Sequence, residues 1–483
     1  MLCVSLMPET TEGALSDLAA ASRRADIAEI RLDAMREFNL ARLLRAPPCP
    51  VIITFRPTRE GGLYVGPESS RIATLRDAAR LGADYIDIEH DSVAALGRIP
   101  AKRIVSYHNL AGTPADLAAV YARIAATGAD VVKVAVTANH ILDTVPVLRI
   151  LRDARVPTIA LSMGERGRLT RILAPKFGAF LTYAAPAAGL EAGPGQVTVA
   201  EMRDLYRADR IGPATRVYGV IADPVGHSLS PAIHNAAFAE ADLDAVYLPL
   251  WVEGDPAAFV TAMREFDFDG YSVTIPHKQA VMAALDEIEP LALRIGAVNT
   301  VERRSDGSLF GTNTDWTAGV ASIEAAVGRD WLRGKRALIL GAGGVGRAMA
   351  FGLKNRGAQV IITDVDPERA HALAIDVGVR TCDLGLVAEV TCEILLNCTP
   401  VGMHPATDAS PVPASVLREG LVVYDAVYNP IETRLIREAR QAGCRTVAGI
   451  DHFIRQAVEQ FELWTGRAAP VETMRRVVIE ALA

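Results

Sequence analysis

Residues 131–136 read Val131-Val132-Lys133-Val134-Ala135-Val136, an apolar and mostly β-branched run around one lysine. Its composition and length predict a buried strand. An ammonium group in such a run is out of place, because burying a charge is costly. Either Lys133 reaches a strand end with its stem in the core, or its amine is wanted neutral, desolvated and nucleophilic. The neighbouring segments carry the decision.

The run is one of eight alike: 3–7, 27–33, 50–56, 84–89, 103–108, 130–136, 157–163 and 179–185. Amphipathic helical patterns such as PADLAAVYARIAATGA separate them. Eight strands alternating with helices predict a closed (β/α)8 barrel, with a flat doubly wound sheet as the other arrangement of the same pattern. The repeat stops at Ile211-Gly212-Pro213-Ala214, a turn-rich break, and a second α/β region follows. The expected domains are 1–212 and 213–483. Within the second, a substrate lobe spans about 213–315 plus C-terminal helices at about 450–483, and a Rossmann lobe spans about 316–449.

Polar residues gather at the C-terminal ends of the barrel strands, where barrel chemistry sits. Glu29, Arg31 and Asp33 alternate by two and so share one face, as do Asp87 and Glu89; Arg56 and His108 end their strands, and Glu60 follows in RPTREGG. In a closed barrel the strands of His108 and Lys133 are neighbours. Arg56 and Arg171 are candidates for holding an anionic substrate and for depressing the lysine's proton affinity by like-charge repulsion. That is a setting for an imine-forming lysine served by an imidazole.

In this order EIRLD, TFRPTREGG, SYHN, VKVAV, SMGERGRLTR and GPGQ resemble the motif series of type I 3-dehydroquinate dehydratases over 1–210. The resemblance implies a Schiff base between Lys133 and the C3 ketone of 3-dehydroquinate. It implies His108 as acid/base, Glu60 as its support, and Glu29, Arg31, Arg56, Arg171 and Gln196 as substrate contacts. Ala192 stands where many relatives have a serine four residues before the glutamine.

In the second half, RALILGAGGVGRAMAFGL (336–353) predicts strand, glycine turn and helix, with Gly341, Gly343 and Gly346 as GxGxxG and Gly344 inside the turn. This is a dinucleotide-binding pattern. GHSLSP supplies Ser228 and Ser230 before a helix, GYSVTIPHK supplies Thr274 and Lys278, and AVNT and NTD supply Asn299 and Asp315. With NCTPVGM, VYNP and FELWTG they resemble shikimate dehydrogenase over 216–483. The resemblance implies Lys278 and Asp315 as the acid/base pair. Ser228, Ser230, Thr274, Asn299, Asp315 and Gln456 would contact substrate, and Tyr428 would lie near the nicotinamide. Trp316 and the DHFIRQ stretch depart from the usual pattern. Asp364, 23 residues after Gly341, sits where a carboxylate binds the ribose of NAD, whereas the family favours NADP, so NAD or use of both is expected.

Taken together the two resemblances imply a bifunctional enzyme whose barrel makes the substrate of its dehydrogenase. The rivals are a non-catalytic sensor or scaffold descended from such enzymes, and a Schiff-base lyase joined to a quinate dehydrogenase. A net charge of −7 argues against nucleic acid and anionic membranes as partners. No apolar run reaches the roughly 18 residues of a membrane span, and MLCVSLMPET is unlike a signal peptide. The six cysteines lack a framework pattern and no histidine spacing suggests a metal, which together predict a metal-free cytoplasmic protein. An oligomer stays open.

Overall fold

The structure, a computed structural model, describes residues 1–226 and 228–482. Contacts divide the chain into two compact units. One holds Met1–Val217, Ile221–Gly226 and Asp244–Asp267; the other holds Tyr218–Val220, His227–Leu243 and Phe268–Ala483.

In the first unit the strands are β1 (Leu2–Leu6), β2 (Ile27–Arg31), β3 (Val51–Thr54), β4 (Tyr85–Glu89), β5 (Lys102–Asn109), β6 (Val131–Thr137), β7 (Thr158–Met163) and β8 (Thr182–Ala184). Their order is β7-β6-β5-β4-β3-β2-β1-β8. Sequential neighbours with β8 beside β1 describe a ring, nearly closed between β7 and β8. A doubly wound sheet would instead reverse its order at a switch point. All these pairings are parallel. The barrel expectation holds.

Inward positions recur every second residue, so they stack in layers. Cys3, Ile27, Ile52, Ile104, Val131 and Ile159 belong to one apolar cluster. Two residues further along their strands come Ser5, Glu29, Thr54, Ser106 and Lys133, all buried. An apolar floor thus lies directly beneath a polar layer. Asp33 differs from the expectation: β2 ends at Arg31 and Asp33 lies in a 3-10 turn, Leu32–Ala34.

Two strands, β9 (Arg216–Ala222) and β10 (Ala245–Trp251), precede the rest of the second region. In the second unit β11 (Phe268–Val273), β12 (Glu287–Ile288), β13 (Thr300–Arg303) and β14 (Leu309–Thr312) run in the order β11-β13-β14-β12. The remaining strands are β15 (Arg336–Leu340), β16 (Gln359–Thr363), β17 (Arg380–Thr381), β18 (Ile394–Asn397), β19 (Val422–Asp425) and β20 (Arg445–Val447). They form a parallel sheet ordered β17-β16-β15-β18-β19-β20. Its order reverses at β15, which makes the crevice between β15 and β18 the ligand-binding position of a Rossmann fold. Among the described residues no helix is long and apolar enough to cross a membrane, and all six cysteines are unpaired.

Candidate active sites

Glu29, Arg31, Arg56, Glu60, His108, Lys133, Arg171 and Gln196 all line one barrel cavity of ≈ 120 Å³, together with Ala192 and Tyr183. Register does much of this work. β5 and β6 pair with Ser106 opposite Lys133 and His108 opposite Ala135, so imidazole and amine emerge from adjacent strands.

Lys133 is 5% exposed. Its Nζ lies 2.8 Å from Asp87 Oδ2 and 3.6 Å from Glu29 Oε1, over the Tyr183 ring at 4.4 Å. Carboxylates are thus its nearest charged neighbours among the described residues, with Arg56 and Arg171 also lining the cavity. Arg56 is turned onto acids instead: Nη2 is 2.8 Å from Asp87, and Nη1 is 2.7 Å from Glu89 and donates to Ser106 Oγ at 2.8 Å. Burial opposes ionisation of Asp87, yet Arg56 and Lys133 hold it well below the usual carboxylate range. Glu29 accepts from Thr54 Oγ1 at 2.7 Å and from Ser5.

His108 Nδ1 is 3.0 Å from Glu60 Oε2. Burial, with Arg56 and Lys133 nearby, pushes the imidazole well below its usual value. Burial also lifts Glu60, and Glu89 and Asp87 oppose the pull of Arg56, so Glu60 is raised to about 8. At neutral pH the pair therefore carries its proton on the carboxyl side, with the imidazole neutral.

Two arginines differ in readiness. Arg31 is committed to Asp33, Nε to Oδ1 at 2.9 Å and Nη2 to Oδ2 at 2.6 Å. Arg171 is buried with Nε unpartnered, and burial lowers it to about 10. A buried guanidinium without a carboxylate is what an anionic ligand would satisfy. Gln196 Oε1 accepts from Ala192 N at 2.8 Å, at the cavity wall.

In the second unit Lys278 Nζ is 2.5 Å from Asp315 Oδ2, and Asn299 Nδ2 donates to Asp315 Oδ1 at 2.8 Å. Asn313 caps the helix Thr314–Val327 by accepting from Asp315 N and Trp316 N, which sets Asp315 in the first turn. Burial works against its charge, but Lys278, His452 and these hydrogen bonds hold it below the usual range. Ser228 Oγ accepts from Ser230 N at 3.3 Å, at the start of the helix Ser230–Glu240. Thr274 follows β11 directly, four residues before Lys278.

Gln456 does not join the Lys278–Asp315–Asn299 group. Its Nε2 donates to Phe453 O, and Phe453 stacks on Tyr428 with ring centroids 4.3 Å apart. Gln460, one turn on, does reach the group: it donates to Thr300 Oγ1 at 3.0 Å and accepts from Ser272 Oγ at 2.8 Å. Sequence reading missed Gln460, although its i+4 spacing from Gln456 puts both on one helix face. It also missed His452, a buried imidazole bonded to Tyr424.

The glycine turn suits a dinucleotide. A Cβ on Gly346 would lie 1.9 Å from Gly341 O, and Gly341 has φ +99°. These two glycines make the turn possible, whereas Gly343 and Gly344 face open space that a pyrophosphate would enter. Asp364 reaches back to this turn, accepting from Ala342 N at 2.6 Å, and its other oxygen takes Arg369 Nη2 at 2.7 Å. Val365 is 81% exposed. Arg347 is committed to Asp376.

The comparisons agree with both halves. A family profile described as type I 3-dehydroquinase matches residues 2–213, and one described as the shikimate dehydrogenase substrate binding domain matches 220–301. The shikimate 5'-dehydrogenase C-terminal domain matches 449–479, and an NAD binding domain of S-adenosyl-L-homocysteine hydrolase matches 321–402. A bifunctional 3-dehydroquinate dehydratase/shikimate dehydrogenase of Arabidopsis thaliana is 42% identical, over 98% of this chain and 83% of that protein. A solved shikimate dehydrogenase of Thermus thermophilus with NADP(H) and shikimate is 37% identical over 56% of this chain and 100% of its own, TM-score 0.50. One from Listeria monocytogenes with shikimate and NAD is 32% identical over 55% of this chain and 96% of its own, TM-score 0.51. The chain belongs to the family of bifunctional 3-dehydroquinate dehydratase/shikimate dehydrogenases.

Proposed function

We propose that this chain dehydrates 3-dehydroquinate to 3-dehydroshikimate in residues 1–212 and reduces that product to shikimate in residues 213–483. The observation that carries the reading is Lys133, buried between Asp87 and Glu29 at the centre of a cavity that His108, Arg171 and Gln196 also line. Lys133 attacks the ketone carbon, and two protons of its ammonium leave with the ketone oxygen as water, forming the iminium. The iminium draws electrons from the adjacent carbon; in the form with Glu60 ionised, His108 takes that carbon's proton at Nε2 while Glu60 receives the one on Nδ1. The pair then returns a proton to the departing hydroxyl, and water hydrolyses the product iminium, freeing 3-dehydroshikimate and the Lys133 ammonium, so no net charge is stranded in the interior. Arg171 holds the substrate carboxylate.

For the reduction, Lys278 donates a proton to the ketone oxygen as charge develops there, and Asp315, fixed by Asn299, keeps the ammonium aimed. A bound nicotinamide dinucleotide supplies the hydride. Gly343 and Gly344 would receive its pyrophosphate, and the stacked Tyr428–Phe453 pair would flank its nicotinamide. Ser228, Ser230, Thr274 and Gln456 would position the substrate's carboxylate and hydroxyls.

The ribose end decides between NAD and NADP. Asp364 favours an unphosphorylated ribose by accepting its hydroxyls, while Arg369 beside it is the cation available to a 2′-phosphate. We read this as a site for NAD or for both. The unpaired cysteines suit a reducing cytoplasm. Borohydride added with 3-dehydroquinate tests the whole reading: a reduced adduct on the peptide of Lys133 supports it, and an adduct at Lys102 or Lys176, or none, sinks it.

A further inference from the structure

Arg71 lies outside the cavity, yet it is among the largest fully buried side chains of the described residues. It projects from the helix Glu68–Arg80 and its guanidinium meets three groups. Nη1 lies 2.7 Å from Glu89 Oε2 and donates to the carbonyl of Phe55 at 2.9 Å; Nη2 and Nε bind Glu68 at 2.5 and 3.0 Å. Two of these contacts lead to the same residue. Glu89 holds Arg56 through its other oxygen at 2.7 Å, and Phe55 is the residue before Arg56. From Arg56 the chain of charges continues to Asp87 at 2.8 Å and on to Lys133 at 2.8 Å.

We propose that Arg71 is a positioning residue for the dehydration: it fixes the side chain of Arg56 through Glu89 and its backbone through Phe55, and so sets Asp87 against Lys133. This rests on the reading of Lys133 as the imine former. The physical reason is the sharing of one carboxylate. Glu89 stands between two guanidinium groups, and their opposed pulls centre it. Without Arg71 the carboxylate belongs to Arg56 alone, which draws Arg56 off Asp87 and leaves the interior one positive charge short. That extra negative charge acts on Glu60 and His108, which share the enclosure.

The test is Arg71→Met in the full chain, with 3-dehydroshikimate reduction measured alongside to show that the protein is folded. Borohydride trapping counts the working barrel sites. Expected are a dehydratase kcat per trapped site lowered about 10- to 100-fold, KM changed less, and the kcat–pH limb set by the Glu60–His108 pair moved up by about one unit. Arg71→Lys returns the charge without the two-pronged grip. It should restore the pH limb while leaving kcat several-fold low, and it carries the test if the methionine variant fails to fold. A limb that stays in place in Arg71→Met overturns the proposal whatever kcat does, because a merely structural role would lower the number of sites and not their titration. Wild-type kcat in Arg71→Lys overturns the positioning part. No trapping in the unchanged chain defeats the reading of Lys133 itself.

Discussion

The barrel site and the dehydrogenase site are built on different principles. In the barrel, Glu29, Arg31, His108 and Lys133 leave paired strands, so hydrogen-bond register brings Glu29, Asp87 and Lys133 together. The result is a set of charges in which Lys133, Arg56 and Arg31 each meet a carboxylate, while Arg171 is left for a ligand. In the dehydrogenase half, Lys278 comes from a loop after β11, Asp315 from a helix start and Gln456 from a helix far along the chain. There the Lys278–Asp315 pair is formed while Gln456 and Tyr428 stand in a separate group. A site on strands is complete before its ligand arrives; a site assembled from loops and helix ends is completed with it.

The sharpest way to break this comparison is Lys133→Ala. Dehydration should fall by about four orders of magnitude or more, since Lys133 is the one lysine among the described residues lining the cavity, while 3-dehydroshikimate reduction stays near wild type. Separate assays on one preparation decide it; loss of both activities would mean that the two sites are not independent.

Next in size is Lys278→Ala. The ammonium acts on charge that develops in the transition state, so kcat for shikimate oxidation should drop about 10²- to 10⁴-fold with little change in KM. A change confined to KM would reduce Lys278 to a binding group.

A smaller effect separates the two sites by pH. Glu60, raised to about 8, keeps its proton at neutral pH and donates it to His108 Nδ1, which leaves Nε2 protonated and unable to act as a base. As pH rises through about 8, Glu60 ionises, accepts the Nδ1 proton and frees Nε2. Dehydratase kcat should therefore climb across that range, and Glu60→Gln should flatten the climb. A limb unchanged in Glu60→Gln assigns it to another group.

The smallest effect is at the ribose. Asp364→Asn with Val365→Arg should move the ratio of kcat/KM for NADP over NAD upward by about tenfold or more. If the parent chain already prefers NADP strongly, Arg369 and not Asp364 governs the choice.

Much of both sites was legible in the chain because chemistry and periodicity coincide there. Charged residues in apolar strands of period two have one face to occupy, and a ring of such strands has one interior. Eight strands alternating with helices predicted the barrel, and the charged residues in EIRLD, YIDIE and VKVAV predicted its mouth. The glycines of GAGGVG and their flanking strand and helix were equally explicit, since only a backbone without Cβ fits where Gly346 meets Gly341. What the order of residues could not express is which charge pairs with which. The sequence could not show that Arg56, expected as an anion holder, also faces Asp87 and Glu89, a pairing set by the packing of β3 beside β4. Arg71, Gln460 and His452 sit on ordinary helical patterns, and nothing local distinguishes them from surface or core positions. Sequence by itself determined the two folds, the imine lysine and the proton-donating lysine as candidates. Only the tertiary structure decided the neighbours of each charge, because Coulomb interaction in a low-dielectric interior depends on a few ångströms that packing, and not composition, sets.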